Sequence, residues 1–102
     1  MRLDKQNLFS FQGMNTQENE KAEEQRLIHM LEDVVTKVDR VQFMTLINTI
    51  PDNAPLLAAA LDEVSMPEKV CSLAGFDTVA VISRTNEDAI KLTEYIKSHA
   101  IL

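Results

Sequence analysis

Two glycines, three prolines and no tryptophan in 102 residues argue against a turn-rich all-β fold. Two glycines also cannot build a phosphate-cradling loop, and G-x-x-x-x-G-K, G-x-G-x-x-G, H-E-x-x-H and G-x-S-x-G are all missing. A single cysteine, Cys71, excludes an internal disulfide and a zinc site built mainly on thiolates. No apolar run approaches the ~20 residues needed to span a bilayer. The start of the chain, Met1-Arg2-Leu3-Asp4-Lys5-Gln6-Asn7, lacks the apolar stretch of a secretory signal, so a cytoplasmic location is expected. Cations are scarce as well: 10 Lys and Arg stand against 16 Asp and Glu, a net charge of −6. That balance opposes unassisted binding to nucleic acid or anionic membrane, where affinity comes from clustered cations releasing counterions.

What is present reads as helical. With 45% apolar and 25% charged residues the composition is globular, and the length suits one small domain. Residues 1–14 form an expected flexible extension or expression-tag scar, given the Phe11-Gln12-Gly13 ending; Met14 is an alternative initiator. A third possibility is an apolar arm (Leu3, Leu8, Phe9, Phe11) that docks on a partner. Residues 15–102 then form a single helical domain. Asn15 and Glu18 have capping-box spacing, and the acids that follow suit the positive end of a helix dipole. Leu27, Leu31, Val34, Val38 and Val41 repeat in steps of four and three, the seam of a coiled coil. Ile28, Met30 and Val35 widen this stripe, and Phe43, Met44, Leu46, Ile47 and Ile50 continue it to Pro51, with a kink or break at Asp39-Arg40. So broad an apolar surface predicts a homodimer, with the five seam residues at the dimer or partner interface.

Beyond Pro51, Pro55 suits the first turn of a short helix over Leu56–Leu61. Ser65, Pro67 and Glu68 predict another helix running to Ala74 and stopped by Gly75. Val79-Ala80-Val81-Ile82 is β-branched and reads as a short strand, lying extended on the core or pairing with a symmetry mate. Thr85 or Asn86 starts a last helix with Ala89, Ile90, Leu92, Thr93 and Ile96 on its apolar face. The fold class expected is mostly α, five or six helices with one short extended segment in a dimeric helical assembly.

No catalytic constellation is visible. His29 and His99 lie far apart in sequence, and Cys71, with Lys69 and Arg84 as its nearest cations and no histidine nearby, reads as a small buried or half-buried apolar residue. A non-enzymatic chain without cofactor or metal is expected. Arg84 is the one cation without an obvious local partner; Lys91 and Lys97 share its less acidic C-terminal region.

At residues 47–97 the order of elements resembles FlhD, the small subunit of the flagellar master transcription regulator, and its relatives in conjugative elements. The features are Leu57-Ala58-Ala59-Ala60-Leu61, the proline-started Met66–Ala74 segment, Val79–Ile82 leading to Arg84, and Ile90-Lys91-Leu92-Thr93. The resemblance implies an all-α homodimer working with a larger, zinc-containing FlhC-like subunit to activate transcription. DNA would then be touched only within that complex, with Arg84, Lys91 and Lys97 as its contacts from this chain. The alternative reading is a small acidic helical chaperone or adaptor for a secretion system or other protein complex.

Overall fold

The computed structural model describes residues 16–101. The expected extension over 1–14 and the capping residue Asn15 lie outside the described residues. Among the described residues, three helices and four strands follow in the order α1 (Thr16–Val34), β1 (Val35–Val41), β2 (Met44–Thr49), α2 (Ala54–Glu63), β3 (Cys71–Ala74), β4 (Thr78–Ile82) and α3 (Asn86–His99). The strands form one antiparallel sheet in the order β1-β2-β4-β3. This is an α/β fold, and it corrects the expectation of five or six helices.

The largest correction falls on residues 35–50. α1 does bury Leu27, Leu31 and Val34 at helical spacing, but it ends where β-branched residues take over. Val35 and Val38 are both buried although three residues apart, a spacing that imitates a helix. A bulge explains it. The register against β2 slips between Val35 and Lys37, so Thr36 is the extra residue and the two valines share a face. Along β2 the period of two is plain: Thr45, Ile47 and Thr49 are buried, while Met44, Leu46 and Asn48 are half-buried on the other side.

β1 and β2 join through the two-residue turn Gln42-Phe43, closed by the Val41↔Met44 pair. Gln42 has φ 54°, the left-handed value that a primed hairpin turn requires at its first central residue. Its carbonyl accepts from Arg40 Nη1 at 2.8 Å, a bond that any residue at this position keeps. Gln42→Gly should therefore relieve more strain than it adds unfolded-state entropy, for a net gain of roughly 0.5–1 kcal/mol. Urea denaturation checks this; a loss of stability would mean that the Gln42 side chain itself supports the turn.

The helix expected over 65–74 is also absent. Residues 65–70 are a loop, Val70 N donates to Ile82 O at 2.7 Å, and Cys71–Ala74 pairs with β4 as an edge strand. β4 therefore pairs within its own chain, on both sides, and needs no symmetry mate. Two local signals do produce the expected helices. Pro55 occupies the first turn of α2, and Thr85 caps α3 by accepting from Asp88 N at 3.1 Å.

All three helices cover one face of the sheet. Their Leu27, Leu31, Leu57, Leu61, Leu92 and Ile96 close over Val38, Ile47, Val79 and Val81. Thr45 Oγ1 and Thr93 Oγ1, 3.0 Å apart, satisfy each other inside this core.

Candidate functional site

The second face of the sheet has no cover among the described residues. Strand alternation puts Val41 of β1, Met44 and Leu46 of β2, Ala80 and Ile82 of β4, and Cys71 and Leu73 of β3 on it. Leu73 is 60% exposed and Val41 46%, and Phe43 and Val70 are exposed at its edge. An apolar surface of this extent on a small domain marks an interaction site.

One end of that face carries carboxylates. The turn after β2 and the turn between β3 and β4 are tied together: Thr49 N donates to Asp77 O at 2.8 Å and Asp52 N to Phe76 O at 3.1 Å. Asp52 holds the turn with φ 73°, a value that aspartate tolerates better than most residues. Asn48 Nδ2 donates to Thr78 Oγ1 at 3.0 Å, and that hydroxyl donates to Asp77 Oδ1 at 3.1 Å. The relay orients the Asp77 carboxylate and leaves Oδ2 without a partner among the described residues. Phe76, 64% exposed, precedes Asp77 in the second turn, and its carbonyl is the one that accepts from Asp52 N. Exposed carboxylates and an exposed aromatic residue on two turns bonded to each other are the residue types that a guanidinium or ammonium group pairs with and stacks on.

The residues singled out from sequence are distributed differently. Leu27, Leu31, Val34 and Val38 are buried against the chain's own helices and strands, while Val41 lies on the open face. Arg84 is exposed in the loop before α3, and Lys91 and Lys97 are exposed on α3 itself. Cys71 is exposed on an edge strand. Asp52, Asp77 and Leu46 had no sequence motif to mark them; only the alternation of residues 44–49 and 78–82 pointed to a two-sided sheet. Among the described residues no group of three or more His, Cys, Asp or Glu is placed to hold a metal ion. No helix among them is long and apolar enough to cross a membrane.

The fold is thus an α/β domain: a four-stranded antiparallel sheet with helices on one side, its other side open and apolar along β2, β3 and β4, with Lys37 and Asp39 of β1 on that same side. Residues 31–98 match the model of the arginine repressor C-terminal domain, and the chain belongs to that family. It is 47% identical over 79 residues to the arginine regulator of Lactiplantibacillus plantarum, covering 78% of this chain and 52% of that protein. The arginine repressor of Enterococcus faecalis is 39% identical over 75 residues, 74% of this chain and 50% of the relative. That of Listeria monocytogenes is 36% identical over 70 residues, covering 69% and 47%. The chain thus spans about half the length of the curated relatives it matches.

These matches overturn the FlhD-like resemblance. With it fall the activator function, the secretion-chaperone alternative, and the scheme of a homodimer served by a larger zinc-containing FlhC-like subunit. The relatives' names are those of regulators rather than enzymes.

Proposed function

We propose that this chain is the self-associating, arginine-sensing domain of a cytoplasmic transcriptional repressor, with no catalytic role. The observation that carries the reading is the open apolar sheet face with its acidic rim. Copies of the chain meet through that face, Val41 among its contacts. A guanidinium held by Asp52 and Asp77 at the rim then strengthens the assembly, because binding there removes a repulsive pair of carboxylates from the joined surface. The relatives' names support arginine as the amino acid concerned.

Light scattering across a concentration series, with and without L-arginine, tests this directly. Arginine should shift association to lower protein concentration. Asp77→Asn keeps the shape of the turn but removes the charge, and a hydrogen bond to a charged group contributes about 1.5–3 kcal/mol. The variant should therefore need about tenfold more arginine, or more, for the same shift. An arginine response unchanged in both Asp77→Asn and Asp52→Asn would place the effector elsewhere.

A further inference from the structure

A recess lies away from the sheet's open face, between α1, the loop after α2, and α3. Its volume is about 250 Å³. The walls are mixed, and their apolar part is made by Val64 and Met66 from the loop and by Leu92 and the Tyr95 ring from α3. All four side chains are also packed in or against the core, so the recess has a firm floor. Glu24 and Glu68 reach it from α1 and the loop. A smaller adjoining hollow of about 170 Å³ shares Glu24, Val64 and Ser65 and adds Glu20 and Glu23. Lys91 is the one cation on this lining, against four carboxylates.

We propose that this double recess is a binding site for an aliphatic polyamine, distinct from the acidic rim of the sheet. The disposition of its charges decides the ligand class. The carboxylates do not converge on a metal-sized point. They are instead distributed over two connected hollows with apolar surface between them. A ligand that matches has several ammonium groups spaced along methylene chains: the methylenes cover Val64, Met66 and Leu92, and the ammonium groups meet the acids. The Tyr95 ring gives one ammonium an aromatic wall. Tyr95 Oη donates to Glu24 Oε2 at 3.0 Å, which fixes that carboxylate at the junction of the two hollows. Burial, that hydrogen bond and the Glu24 charge together push the Tyr95 pKa up to about 12, so the phenol stays a neutral donor beside the ligand.

The chain carries one tyrosine and no tryptophan, so its intrinsic fluorescence reports on this recess. Titration with spermidine at constant ionic strength should give a saturable change in that signal. Glu24→Gln combined with Glu68→Gln should raise the half-saturation concentration about tenfold or more. Glu20→Gln with Glu23→Gln leaves the Tyr95–Glu24 bond in place and should also weaken binding, which keeps the test sound if the first pair alters the fold. Asp77→Asn should leave the spermidine titration unchanged, because its carboxylate belongs to the sheet rim. The proposal is overturned if wild type gives no saturable change, if matched sodium or magnesium chloride reproduces the change, or if both double variants titrate like wild type. It is equally overturned if arginine, and not spermidine, saturates the signal, for then the recess would be the arginine site.

Discussion

Ile47→Ala is expected to cost 2–5 kcal/mol, the range for emptying a fully buried aliphatic position. Ile47 has no exposed surface, and it sits opposite Val38 on one side and Val79 on the other. Removing its branched side chain opens a cavity in an inner strand of the sheet, beneath α3. The neighbour Leu46 points the other way and is only half-buried, so Leu46→Ala should cost much less in folding. The contrast is the informative part. On a helix the two residues would be about 100° apart and their costs would be closer. Urea denaturation of both variants, at a fixed protein concentration, measures the difference; near-equal losses would contradict the strand alternation of β2.

That contrast also shows why this region was illegible in sequence. Val34, Val38 and Val41 fit a coiled-coil spacing, but Val34 ends a helix, Val38 faces the core from a bulged strand, and Val41 faces away from it. A bulge adds one residue to a period of two and so produces a step of three, which belongs to the helical pattern as well. The hairpin turn gave no warning either, since Gln42-Phe43 has neither the asparagine nor the glycine that usually marks such turns. β3 was hidden for a different reason. Ser65, Pro67 and Glu68 carry the chemistry of a helix start, yet the segment after them gains a backbone ladder along β4 that an isolated short helix could not match. Where the signal was local, it held: Pro55 and Thr85 act at the ends of their own helices. The acidic rim is the opposite case. Asp52 and Asp77 are 25 residues apart in sequence and become neighbours only when the two turns bond to one another.

If copies meet through the sheet face as proposed, Leu46→Asp should abolish self-association while leaving the isolated domain folded. Leu46 lies mid-row across the open face: Asp39 is opposite it on β1, Ala80 on β4, and Leu73 follows Ala80 on β3. In a single copy the new carboxylate remains in water on a half-buried position, and the cost to folding is small. In an assembled interface it is buried directly opposite the like charge of Asp39, with Lys37 of the same face only on the diagonal. An uncompensated buried charge costs about 3–5 kcal/mol, which sets an upper range of roughly two to four orders of magnitude for the loss of association. On the proposed association, wild-type melting should rise with protein concentration, because association would stabilise the folded chain, and melting of the variant should not. Leu56→Asp is the control. Leu56 is 60% exposed but stands on α2, in the helical layer, so the same charge introduced there should leave association intact. If Leu46→Asp associated like wild type while Leu56→Asp dissociated, copies would meet through the helices, and the sheet face would require another occupant.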